Sequence, residues 1–242
     1  YISVGGLVGS NNGTLTDNYA TGNIVANSTS GSIEVGGLIG HCSTGSSSTS
    51  SGVISKNYAT GDIEATSESG SIYVGGLIGD QYYAATEQSY ATGNIVANST
   101  SGTVCAGGLA GRGSEINKSY ATGDIDVKTE IGEINVGGLS GTLWNKSYTR
   151  IATDAFSVGA VTAISTSGNV YIGGLVGRTY HANITNTYAV GKIKSETTGT
   201  NNIGGLAGKN DGNSVFKNSY WSPKTTGQDT SAGGEEKSIQ EL

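Results

Sequence analysis

The run Tyr19-Ala20-Thr21-Gly22-Asn23-Ile24-Val25-Ala26-Asn27-Ser28, followed at Ile33 by Ile33-Glu34-Val35-Gly36-Gly37-Leu38-Ile39-Gly40, decides the fold. Its period is two. Ala20, Gly22, Ile24 and Ala26 alternate with Thr21, Asn23 and Val25, the pattern of a half-buried strand. No stretch sustains a 3.6-residue period, so essentially no helix is expected.

Both halves of the run recur. Gly-Gly-Leu-x-Gly begins at Gly5, Gly36, Gly75, Gly107, Gly137, Gly173 and Gly204. Tyr-Ala-Thr-Gly begins at Tyr19, Tyr58, Tyr90 and Tyr120, and returns in altered form at Phe156, Tyr188 and Tyr220. From the aromatic residue to the next Gly-Gly is 17 residues five times and 16 once, whereas the return arm varies from 13 to 22. One arm is a fixed rung, and the other tolerates insertion. The longest insertion, His41 to Gly52, is nearly all Ser and Thr, as a solvated loop should be.

Aligned on the repeat, the Ile24 column reads Ile63, Ile95, Ile125, Val161, Ile193 and faces a core. The next column, Val25, Glu64, Val96, Asp126, Thr162, Lys194, faces solvent. Such strands cannot bury their inner faces singly, but stacked coils can. The expected fold is all-β: a single-stack parallel β-solenoid of about seven coils of ~31 residues over 1–220, with 221–242 as a cap or linker. Gly22 and its equivalents are expected to point inward, and the Gly-Gly pair to mark a corner or bulge.

Composition agrees. Of 242 residues 41 are Gly, one is Pro and none is Met; collagen is excluded because Gly does not recur every third residue. The net charge of −6 argues against nucleic acid or an anionic membrane surface. No apolar run approaches the ~20 residues of a membrane-spanning helix, so no direct membrane insertion is expected. Without an initiator Met or secretory signal, the chain reads as a processed piece of a longer protein.

Gly5-Gly6-Leu7-Val8-Gly9 followed by Asn18-Tyr19-Ala20-Thr21-Gly22 resembles the unit of the GLUG repeat family. The end, Asn218-Ser219-Tyr220-Trp221 through Thr225-Thr226-Gly227-Gln228 and Ser231-Ala232-Gly233-Gly234, is similar to the segment that closes such arrays. The resemblance implies a secreted or surface-anchored protein of bacteria or archaea. It is shared with adhesin-like proteins and with non-catalytic parts of immunoglobulin A metallopeptidases, and it implies no catalytic residues. The zinc-peptidase motif His-Glu-x-x-His is absent.

The candidate chemistry is sparse. His41 and His181 stand four coils apart and read as exposed loop histidines, and no metal or cofactor is expected. Asp80, Arg112 and Arg178 each follow a Gly-Gly-Leu-x-Gly, but on separated coils with no expected convergence. Cys42 and Cys105 lie two repeats apart at different coil positions, too far for a disulfide. Asn23, Asp62, Asn94 and Asp124 form one column, read as a turn-stabilising ladder. Tyr19, Tyr58, Tyr90, Tyr120 and Tyr188 stack in register. They form an outward stripe for glycan rings or a subunit if the alternation holds, and core if a corner intervenes. Sequons at Asn12, Asn27, Asn98, Asn117, Asn145 and Asn183 are candidate glycan sites. Tyr220 and Trp221 are candidate docking or capping residues.

The expected function is a non-catalytic, extracellular structural or adhesive module of a cell-surface protein. Its expected partners are itself, through head-to-tail or lateral pairing of open edges into a filament, sheath or layer, or surface glycans or a host protein. The alternatives are a carbohydrate-binding module and, further off, a β-helix polysaccharide lyase or hydrolase.

Overall fold

A computed structural model describes residues 1–43, 52–144 and 152–242. Each coil visits four parallel sheets in turn. In the third coil the strands are Ile72–Gly75, Ile78–Tyr82, the pair Ala85–Glu87 and Tyr90–Ala91, and Ile95–Ser99. The same order holds along the chain, so the first and second sheets each collect seven strands and the fourth collects six. The chain is a parallel β-solenoid of about six complete turns. Register follows the repeat: Ile63 pairs with Ile24 and Ile95, and Gly75 with Gly36 and Gly107. The single helix among the described residues is Pro223–Thr226, beginning at the only proline.

The apolar columns fill two lobes. Ile72, Val74, Ile95, Ala97 and their equivalents pack the first sheet against the fourth. Leu77, Ile78, Ala91, Ile116 and theirs pack the second against the third. The break in alternation between Val35 and Leu38 is therefore the chain passing from one lobe to the other. Gly36 and Gly37 turn that corner where successive coils lie in close contact. A Cβ on Gly37 would collide with the Gly76 carbonyl of the next coil and meet the Ala59 methyl.

The Gly22 column differs from expectation. Its members do not point into the core. A Cβ on Gly61 would collide with the carbonyl oxygen of Gly22, and one on Gly93 with that of Gly61. The same holds at Gly123, Gly159 and Gly191. These glycines point along the stack, where coils approach too closely for any side chain. Gly22 itself, in the first coil, has nothing within 4 Å of that position.

Side chains also stitch the coils. Asn23 Oδ1 accepts from the Asp62 N–H at 2.9 Å, Asp62 Oδ1 from Asn94 at 2.7 Å, Asn94 from Asp124 at 2.9 Å and Asp124 from Ala160 at 2.7 Å. The Asn/Asp column is thus a ladder that satisfies turn N–H groups between coils. A second device closes turns within coils. The hydroxyls of Ser28, Ser67, Ser99 and Ser165 each accept from a Gly N–H three residues on at 2.9 Å.

At the far end the chain folds over its own last coil. Glu235–Glu236 pairs with Tyr220–Trp221, Gly205 N–H donates to the Thr230 carbonyl at 2.9 Å, and Ser231 Oγ accepts from Leu206 and Ala207 at 3.1 and 2.9 Å.

Candidate functional site

Two outward columns meet at the Gly-Gly corner. On the first sheet the residue between the two buried aliphatics is Ser3, Glu34, Tyr73, Cys105, Asn135, Tyr171 and Asn202. On the second sheet the residue after Gly-Gly-Leu-x-Gly is Ser10, His41, Asp80, Arg112, Thr142, Arg178 and Lys209. The corner folds these columns toward each other, so they line one groove along the stack.

The coils holding His41, Asp80 and Arg112 bring together what the sequence leaves apart. Asp80 is 1% exposed and Glu34 7%. Arg112 Nε donates to Asp80 Oδ1 at 2.7 Å, and Nη2 donates to Oδ2. His41 Nδ1 stands 3.2 Å from Glu34 Oε2 and 3.9 Å from Asp80 Oδ2. Ser3 Oγ donates to Glu34 Oε2 at 2.7 Å. The Arg112 guanidinium lies between the rings of Tyr73 and Tyr82, 4.6 and 4.4 Å from their centroids.

Two expectations are corrected here. His41 is not an exposed loop histidine, for its ring is drawn into the groove by two carboxylates. Asp80 and Arg112 do converge, because residues 32 positions apart become neighbours when one coil lies on the next. Arg178 forms a second cluster further along the groove. It reaches Asp211 at 2.6 Å and Glu133 at 3.4 Å, between Tyr171 and Tyr180 at 4.9 and 4.8 Å.

The electrostatics follow from burial and pairing. Burial pushes the Glu34 carboxyl up, but the contacts with His41 and Ser3 outweigh it and the net shift is downward. The Glu34 carboxylate beside His41 raises that imidazole against the opposing effect of burial. Burial raises Asp80, in part offset by Arg112. The charged forms of Glu34 and His41 support each other, as do those of Asp80 and Arg112, whereas Arg112 opposes a positive charge on His41.

The aromatic column has a definite geometry. The rings of Tyr19, Tyr58, Tyr90, Tyr120, Phe156 and Tyr188 stack face to face, with centroids 4.9–5.1 Å apart and planes within 6°. Ala59, Ala91 and Ala121 beside them are buried, so the aromatic column faces outward, half-buried within the stack and exposed at Tyr19. Ring faces turn to one another, so solvent meets the column chiefly at the ring edges.

Asn12, Asn27 and Asn183 are exposed, and Asn98 and Asn117 are half-buried. Asn145 lies outside the described residues. Tyr220 is half-buried beneath Lys237, whose Nζ is 5.7 Å from the ring. Trp221 is 6% exposed, set against Gly205, with Nε1 donating to the Gln228 carbonyl at 3.3 Å. Both thiols are free and buried, in different sheets, and burial pushes each up to about 11.

Nothing in the period-two pattern marks Glu34, Tyr73 or Tyr82. The available signal was vertical: His41, Asp80 and Arg112 occupy one repeat position in consecutive coils, an order that places opposite charges side by side.

Residues 168–194 match the family described as the GLUG motif. That segment is one coil, from the Gly168 turn through the sixth Gly-Gly-Leu-x-Gly to the Ile193 strand. A protein of Evansella cellulosilytica, provisionally named a Gly-rich membrane protein, is 38% identical over 84 residues. The match covers 34% of this chain and 9% of that relative. No solved structure matches. The chain therefore carries a GLUG motif at residues 168–194, in a coil whose corner and aromatic step recur along the solenoid.

Proposed function

We propose that the chain is a rigid, non-catalytic segment of a bacterial or archaeal surface protein, holding loops away from the cell. The carrying observation is the axial glycine column. Backbones stacked with no room for a Cβ, and locked by side-chain-to-backbone bonds at successive turns from Asn23 to Ala160, make a stiff rod. The described strands that flank residues 44–51 and 145–151 belong to the second and third sheets in both coils. The adhesive contact with a host protein or surface glycan is assigned to the edge between those two sheets. The relative's name supports a place at the cell envelope. No helix among the described residues is long and apolar enough to cross a membrane.

Antibodies raised against the chain test the location. Labelling of intact source cells supports it, and labelling only after permeabilisation sinks it. Replacing the loop between Ser43 and Gly52 by a short Gly-Ser linker tests adhesion: binding of the chain to its target surface should fall while the fold persists.

A carbohydrate-binding reading is favoured by one observation, the aromatic rim Tyr82, Trp144 and Tyr180 beside Arg112 and Arg178 in the groove. A glycan array separates the two. Binding lost in Tyr82→Ala and Tyr180→Ala but kept in the loop variant selects this second reading.

A further inference from the structure

We propose that Glu34, His41 and Asp80 form a binding site for one divalent transition cation of the zinc class. Their ligand atoms, Oε2, Nδ1 and Oδ2, all lie within 4.8 Å of one another. In a tetrahedral site with zinc bonds of ~2.0–2.1 Å, neighbouring ligand atoms stand about 3.3 Å apart. His41 Nδ1 is already 3.2 Å from one oxygen and 3.9 Å from the other. A small inward shift of Asp80 completes the triangle.

A second observation points the same way. His41 Nδ1 is buried and makes no hydrogen bond of good geometry, although it faces two carboxylates. An imidazole nitrogen that pairs with Glu34 at 3.2 Å and faces Asp80 at 3.9 Å without a well-aligned hydrogen bond can exchange its proton for an ion shared with both carboxylates. Arg112 does not fill the position. A carboxylate offers about four lone-pair sites and Arg112 takes two of Asp80's, leaving the side toward His41. Arg112 then orients Asp80, and Ser3 orients Glu34, as outer partners do for metal-bound carboxylates.

The donor set decides the class. One imidazole and two carboxylates suit zinc, cobalt or manganese, whereas calcium requires six to eight oxygens. The His41 side chain keeps 24% of its surface in solvent, which leaves an approach from the groove mouth and an open coordination position. Glu34 and His41 come from the two walls of one coil and Asp80 from the next, so the ion would brace the corner and clamp two coils together. This inference does not rest on the surface-rod reading.

Calorimetric titration of the purified chain with zinc chloride, and visible absorption with cobalt(II), test the site. The expected result is one equivalent bound and a cobalt band from mixed nitrogen and oxygen ligands. Affinity should fall at least about 100-fold in His41→Ala, at or beyond the 10–100-fold that loss of an outer partner costs, and should be unchanged in His181→Ala. Should His41→Ala fail to fold, Glu34→Gln serves instead, with folding checked by circular dichroism. No binding at millimolar zinc overturns the proposal. So does an isotherm that folded His41→Ala or Glu34→Gln leaves unaltered, or equal competition by calcium.

Discussion

Asp80 and Arg112 occupy the same repeat position in adjacent coils, and their two-pronged contact joins those coils on the groove floor. Asp80 is 1% exposed, so its charge has little recourse to water. Arg112→Ala should destabilise the chain by about 3 kcal/mol, the cost of leaving a buried charge unpaired, read as a lower urea midpoint. Asp80→Leu combined with Arg112→Met should recover most of that loss. If the double variant is as unstable as the single one, the pair matters for more than mutual compensation.

The axial glycines separate two otherwise identical substitutions. Gly22→Ala meets open space and should change stability by less than about 1 kcal/mol. Gly93→Ala drives a methyl into the Gly61 carbonyl and should cost more than about 4 kcal/mol or prevent folding. Thermal melts followed by circular dichroism compare them. Equal effects would mean that the column is chosen for something other than coil spacing.

Burial pushes Cys42 and Cys105 to about 11, so at pH 8 almost no thiolate is present, and both residues are buried. A thiol-reactive chromophore should be inert toward the native chain at that pH and should titrate two thiols in guanidinium. Rapid labelling of the native chain would place one thiol at the surface.

Each inner ring of the aromatic column has a stacked neighbour on both sides. Tyr90→Phe should be nearly neutral, since both stacked pairs remain. Tyr90→Ala should cost about 1–3 kcal/mol, from two stacked pairs at ~0.5–1.5 kcal/mol each. Chemical denaturation of both variants reads this directly.

Residues 222–242 cover the last coil, so pairing at that end must first displace them. Ending the chain at Trp221 should uncover Gly205 and Leu206 and produce concentration-dependent association in light scattering. The full chain should pair through its first coil, where Leu7 is 45% exposed although its equivalents Leu38 and Leu77 are fully buried. A truncated chain that stays monomeric at all concentrations would remove the covering role of this segment.

The recurrence of Gly-Gly-Leu-x-Gly and Tyr-Ala-Thr-Gly by itself determined the solenoid, the parallel register, the Ile24 core column and the Asn/Asp ladder. Those features depend only on residues at matching repeat positions, and repetition makes that equivalence visible in one dimension. The two lobes, the direction of the glycines and the groove cluster were decided by the tertiary structure alone. Val35 and Leu38 look like one apolar run until the corner sends them to different cores. Gly61 looks inward by alternation until the preceding coil's carbonyl is set against it. Glu34 and His41 carry no shared motif, and Asp80 lies a full coil beyond. Only the bend between two sheets and the advance of one coil bring two carboxylates to a single imidazole, because that proximity is a sum of turns and not a spacing.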